Sequence, residues 1–410
     1  MGKIDLSKLK GMLKVFGVLR PYVVLLWPVV IVLVSVVVLA VSLMIGSSFR
    51  QKVDKESTPM AKQVKSLLAD SVAAGQAEVE GRYEQAHQED ANQITLLAKE
   101  STQRELLSYS IFPKPKESSG LLYTRFGDAF RQGVEKMISD VNGKECPSEE
   151  DLKVGSQTGF TASRTFSKAL KSGGGDDSRI VEEICQGRAK AASVYASPTD
   201  VSGYDFWSQY KYSDVNSAVK DCWFWQLGYW IIEDVFSTVE SMNAGSSSVF
   251  SSPVKRVMRV GFVSPDKLFS SSDKASQDRP KYAIKPADQL AEACTGRISD
   301  DKIDVVHFSF SVVVGTKYVM SFMKELCSVK EHRFAGYTGQ DTVRVLKHNQ
   351  ISILESQIKP IDLNAKEHQR YRYGQESVVE VVLVCEYIFN KEGYQEVEPD
   401  LETKDTAKKK

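Results

Sequence analysis

The feature that most constrains this chain is an uncharged run of 23 residues, 23–45 (VVLLWPVVIVLVSVVVLAVSLMI). At about 1.5 Å of rise per residue it makes roughly 34 Å of helix, enough to cross a hydrocarbon core about 30 Å thick. Pro28 falls in the first turns, where a lost amide hydrogen bond costs least, and Tyr22 and Trp27 sit where amphipathic rings favour an interface. Buried core helices are rarely this long and uniformly apolar. A cleaved signal peptide needs an apolar region of about 7 to 15 residues ending at a small-x-small site. Ala40-Val41-Ser42 offers such a site, but the apolar stretch before it is already too long. The run reads as an uncleaved signal anchor.

Flanking charge sets the direction. Lys3, Lys8, Lys10, Lys14 and Arg20 precede the span against Asp5 alone, whereas Arg50, Lys52 and Lys55 are mixed with Asp54 and Glu56 after it. The positive-inside rule then expects a cytoplasmic basic segment over 1–22 and the bulk of the chain outside the cytoplasm. Residues 6–19 (LSKLKGMLKVFGVL) space Leu6, Leu9, Leu13 and Phe16 at helical intervals. That fits either a basic flank or an interfacial helix. Over the whole chain 53 Lys+Arg balance 53 Asp+Glu, so no basic field exists to hold nucleic acid, and none is expected as a partner.

Residues 51–112 predict a helical stalk. Apolar positions fall mostly at three- and four-residue steps, Val64, Leu68, Val72 and Val79 among them, interrupted at Gly75, Gly81 and Asp90. Pairing of two such helices as a coiled coil or a single helix lying on the domain both satisfy this pattern. Pro113 and Pro115 close it. Within 118–245 the spacing predicts a helix over 122–141 and another over 215–242. The second is so dense in aromatics (CWFW, YWII, VF) that burial on several sides is expected, a ligand cleft being the alternative. Between them, 143–178 reads as a flexible loop, because its Gly173-Gly174-Gly175 run lacks the strand and Lys-Ser/Thr of a phosphate cradle.

Residues 250–396 predict the clearest domain. Strands are expected over 251–264, with Lys255, Arg256 and Arg259 at polar positions, then over 306–314, 350–361 and 378–389. A polar insertion over 265–300 separates the first two, and a helix over 316–329 follows the second. Strand–helix–strand–strand is most of a ferredoxin-like α+β sandwich behind a transmembrane helix and a coiled-coil stalk. In the last strand, Leu383 and its alternates should face the helix. Val382 and Val384 fall on the opposite, mixed face, expected to be half exposed or shared with a partner. The charged tail, 397–410, is expected to be disordered.

The layout resembles that of PilO-like proteins, inner-membrane alignment components of type IV pilus machines, and is similar to GspM-like proteins of type II secretion. The resemblance rests on VVHFSFSVVVGTKYVMSFMKELCSV, QISILESQIKPI and SVVEVVLVCEYIFN, and on LLSYSIFP between stalk and domain. It covers the layout of the chain but, residue by residue, about 100 positions near the C-terminus. The chain is about twice the usual size of that family, and 120–245 has no counterpart in its minimal form. The resemblance implies a bitopic scaffold in the bacterial inner membrane that pairs with itself as a homodimer and with a PilN-like or GspL-like membrane partner.

The motifs of the chain carry no catalytic chemistry. His87, His307, His332, His348 and His368 are isolated in sequence, with no zinc spacing and no nucleophile motif, and His307 reads as solvated. Acidic pairs such as Glu182-Glu183 and Asp300-Asp301 read as solvated. Six cysteines, 146, 185, 222, 294, 327 and 385, all follow the span, where an oxidising compartment permits disulfides. If helix and strand faces pack, Cys327 and Cys385 could meet; otherwise both are small buried hydrophobes. No catalytic residue, cofactor or metal is expected. The competing readings are an extracytoplasmic sensor, which lacks room before the span for an output domain, and a periplasmic transport adaptor, which needs lipoyl-like and β-barrel strands.

Overall fold

The structure, a computed structural model, describes residues 23–70, 74–152, 175–269, 278–291 and 295–400. The chain divides into two compact units, Met1–Asp90 and Ala91–Lys410.

In the first unit, α1 (Val23–Asp70) is a helix of 48 residues that continues through Pro28 and Pro59. The apolar span and the start of the expected stalk are therefore one helix. The hydroxyls of Ser35, inside the apolar stretch, and of Ser47 and Ser48, just beyond it, donate back to the carbonyls of Ile31, Met44 and Ile45. Among the described residues this is one helix long and apolar enough to cross a membrane. The basic segment 1–22 and Val72 lie outside the described residues. A second helix, α2 (Ala74–Ser101), carries the chain into the second unit.

The expected stalk boundary at 112 is too late. The helix stops at Ser101, and Thr102, Arg104, Leu106, Ile111 and Phe112 are buried in the second unit. The Thr102 hydroxyl donates to the Asn390 carbonyl at 2.8 Å, and Leu107 N–H to Gln226 at 2.8 Å. Packing and tertiary hydrogen bonds outweigh further helical turns in water.

Three helices then build one side of the core. Ser119 caps α3 (Gly120–Asp140), whose buried stripe includes Phe126, Phe130 and Val134, and Asn142 beyond its end takes a left-handed φ of 49°. The short α5 (Tyr204–Ser208) comes after α4 (Gly175–Ala191). Asp214 then caps α6 (Val215–Asn243) by accepting from Ser217 N–H at 3.0 Å. The crowded aromatics of α6 are core, as expected: Trp225 meets Phe130 at 5.6 Å and Trp223 meets Phe112 at 5.3 Å. Each such ring removes about 200 Å² from water, roughly 5 kcal/mol as an upper bound.

The strands are β1 (Gly143–Lys144), β2 (Val194–Tyr195), β3 (Val254–Gly261), β4 (Ile303–Gly315), β5 (Lys330–Phe334), β6 (Arg344–His348), β7 (Ile351–Pro360) and β8 (Val378–Asn390). One mixed six-stranded sheet has the order β1-β2-β3-β4-β8-β7, with β1, β2 and β3 parallel and the remaining pairs antiparallel. The one-turn α7 (Pro265–Leu268) lies between β3 and β4, helix α8 (Val319–Leu326) follows β4, and β5–β6 is a separate hairpin that no sequence pattern announced. The architecture is α+β, with a long N-terminal apolar helix.

The longest pairing runs from Ile303↔Asn390 to Gly315↔Val378. On its first face Phe308, Phe310 and Val312 join Val381, Leu383 and Cys385 in one core with α6 and α8, and Phe310 meets Phe322 at 6.2 Å. This is the face predicted to be buried.

The second face corrects the expectation of an open surface. Val382 is 3% exposed and Val384 1%. The insertion expected to be a polar excursion folds back across this face. Leu290 N–H donates to His307 Nδ1 at 3.1 Å, Thr295 and Arg297 grip the buried Glu386 carboxylate, and Ser309 donates to the Val263 carbonyl. Beyond the end of β3, Tyr282 bridges Val306. Glu386, Ser309 and the Nδ1 of His307 thus find their partners inside the chain. Lys255 is likewise buried, its Nζ donating to the Val249 and Phe250 carbonyls at 2.9 and 3.0 Å, and burial pushes its pKa down. The tail also begins packed: Val397 is buried, and Tyr282 donates to Glu398 at 3.2 Å. Residues 401–410 lie outside the described residues.

Candidate interaction site

In the first unit the predicted stripe is displayed to solvent. Val64 is 54% exposed, Leu68 68% and Val79 49%, with Met60, Leu67 and Tyr83 similarly placed. A helix that keeps such side chains in water gains little from its own tertiary contacts, so the apolar area is available for association.

In the second unit the last turns of α2 present Ile94 and Leu97, both more than 60% exposed. With Ile303, Val329 and Ile388 they line an apolar groove of about 590 Å³ whose polar end is Lys347 and Gln350. Sequence periodicity identified the two α2 residues. The groove's other wall comes from strand ends that no local pattern could place beside them.

Below the exit of α2 lies a network of buried charges. Asp234, on α6, accepts from Arg104 at 2.8 Å (Oδ1) and 3.2 Å (Oδ2), from Tyr387 OH at 2.7 Å and from His348 Nε2 at 2.8 Å. Arg104 also reaches Glu233 at 2.6 Å and Tyr387 OH at 2.9 Å. His348 Nδ1 lies 2.9 Å from His332 Nδ1, and His332 Nε2 lies 2.9 Å from the Gln103 carbonyl. A carbonyl only accepts, so His332 Nε2 donates to Gln103. Arg104 faces both Asp234 and Glu233, and such pairing is what makes buried charge tolerable.

Burial opposes ionisation of Asp234, but Arg104 and His348 more than offset it and hold the carboxyl well below the usual carboxylate range. Burial opposes the charge on Arg104 too, yet Asp234, Tyr387 and Glu233 keep it firmly protonated. His332 is pushed down to about 4, first by burial and then by the charges of Arg104 and His348. The network joins residues 103–104 to α6, β8 and the β5–β6 hairpin. The sequence reading treated both histidines as isolated; their partners are far away in the chain, and no spacing rule reaches them.

The other candidate residues are placed as follows. Cys385 is buried and Cys327 half-buried; both are free thiols, and burial raises the Cys385 pKa, with Cys327 near enough to add to the effect. Cys294 lies outside the described residues. His307 is buried rather than solvated. Glu182 holds Arg372 through contacts of 2.6 to 3.0 Å, so that acidic pair is partly structural. Among the described residues, no group of three or more His, Cys, Asp or Glu is placed to hold a metal ion.

No known family model matches the chain, and no curated protein matches it either. A crystal structure from Akkermansia muciniphila aligns over 74% of this chain and 96% of its own length, at 9% identity and a TM-score of 0.28. A likeness that slight carries no argument about fold or function.

Proposed function

We propose that the protein is a non-enzymatic, single-pass membrane scaffold that pairs with itself through α1 and α2 and links inner-membrane and periplasmic parts of a type IV pilus or type II secretion-like machine. The observation that carries this reading is that the membrane-length apolar stretch and the start of an exposed apolar stripe are one helix, α1. Burying that stripe against a second copy is worth about 25 cal/mol per Å² removed from water.

The ferredoxin-like reading of the head is supported by chain order. Helix α6 with β3–β4, and helix α8 with β7–β8, are two helix–strand–strand units whose strands form an antiparallel set β3-β4-β8-β7. A ferredoxin-like ring of elements opened before a helix has this order. The head would stand in the periplasm and meet a PilN-like or GspL-like partner, with residues 1–22 in the cytoplasm.

Site-directed crosslinking tests pairing. Val64→Cys in the full chain, in membranes under mild oxidation, should yield a dimer band above that of the unsubstituted protein, whereas Cys at the buried position 384 should not. Equal yields from both would defeat the stalk-pairing reading.

A further inference from the structure

A second cavity, of about 210 Å³, lies in the head beside the parallel part of the sheet. Glu145 and Cys146 directly follow β1, and Ala196 to Asp200 directly follow β2. Tyr195 on β2, Arg256 and Val257 on β3, and Tyr371 complete the lining. Crevices at the carboxyl ends of parallel strands, where the sheet changes direction, are recurrent ligand sites because the connecting loops part there.

The hydrogen-bond inventory of this cavity is lopsided. Several of its donors are engaged within the protein. Arg256 donates to the Glu367 carbonyl at 3.1 Å and lies 3.8 Å over the Tyr371 ring. Ser197 donates to Glu145 Oε1 at 2.6 Å, so the 2.8 Å Ser197–Thr199 contact uses the Thr199 proton. Its acceptors are not matched. Among the described residues, no donor reaches the Asp200 carboxylate, although that side chain lines the cavity. Burial pushes the Asp200 carboxyl up to about 6, with Arg256 and Arg259 pulling the other way, as expected of an acid desolvated without a hydrogen-bond partner. Tyr195 packs edge-on against Tyr371 at 4.9 Å, giving the cavity a rigid aromatic side.

We propose that this cavity binds a small molecule, or a side-chain end, carrying a primary ammonium group: the ammonium donates to Asp200 and Glu145, and a short apolar stem lies along Tyr195 and Tyr371. An ammonium offers three donors and no acceptor, the complement of a carboxylate that no protein donor reaches. At about 30 Å³ per water, the volume equals roughly seven waters, which suits a ligand of about six to ten non-hydrogen atoms.

The test uses full-length protein in detergent and isothermal calorimetry with 1,4-diaminobutane at pH 7.5. Saturable binding is expected, with at least tenfold weaker affinity in Asp200→Asn and no binding of 1,4-butanediol, which has the same length but no charge. Glu145→Gln, at an exposed position, serves if Asp200→Asn does not fold, and should also weaken binding. Absence of binding in the unsubstituted protein, equal binding of the diol, or unchanged affinity in the folded variants would overturn the proposal. Nα-acetyl-lysine methylamide distinguishes the source: tighter binding than diaminobutane assigns the site to a protein lysine, weaker binding to a free amine, and either order sustains the ammonium site.

Discussion

Replacing Asp234 by alanine should destabilise the head more than loss of most core side chains, and the structure says why. The side chain is buried and takes four contacts of 2.7 to 3.2 Å from Arg104, Tyr387 and His348. Its removal strands the Arg104 guanidinium, whose side chain is only 3% exposed, with Glu233 as its remaining acidic partner, and that carboxylate is 46% exposed and largely solvated. Breaking a buried pair from one side costs about 3 to 5 kcal/mol, because the surviving charge keeps its desolvation penalty. Asp234→Asn keeps the shape but places an amide donor among donors, so about 2 kcal/mol is expected even without a cavity. The double variant Arg104→Leu/Asp234→Leu removes both charges, and its cost should fall about 2 kcal/mol or more short of the sum of the singles. Urea unfolding followed by tryptophan fluorescence reads this directly, because Trp223, Trp225 and Trp230 lie on the same helix as Asp234. If Asp234→Ala costs less than about 1 kcal/mol, or if the singles add, the network is not a coupled buried unit that holds the head together.

Three further outcomes follow from the same geometry. His332 sits at about 4 against an ordinary 6.5, so between those values the unfolded chain binds a proton that the folded chain does not. Stability should therefore fall as pH drops from 6.5 to 4, by up to about 3 kcal/mol, and His332→Asn should flatten that slope in melts at stepped pH. Val384→Lys, at a site 1% exposed, should prevent folding of the head rather than merely block an interface, as loss of the cooperative thermal transition would show. Leu383→Ala should cost about 2 to 5 kcal/mol by denaturant titration, since its side chain is fully buried in the main core.

What the sequence determined is what periodicity and hydropathy encode locally. The uncharged run over 23–45 required a membrane-length helix, and the three–four spacing of Phe126, Phe130 and Val134 required α3 to face a core. The strict alternation around Phe308 and Leu383 made β4 and β8 strands whose first face packs on α6 and α8. Each of these follows from the chain's own repeat meeting water or its absence. Tertiary structure alone decided the rest, because the deciding partner was distant. Val382 and Val384 look like one half of an open face until Leu290, Thr295 and Arg297 bind His307 and Glu386 on it. His332 and His348 look solitary until Asp234 and Arg104, 114 and 244 positions before His348, arrive beside them. Arg256 looks like an ordinary polar strand residue until Tyr371 lies against it and Asp200 is left without a donor. Alternation tells which side of a strand a residue is on. Whether that side meets solvent, a loop or a buried charge is settled by contacts between segments far apart in sequence, and those contacts carry no local signature.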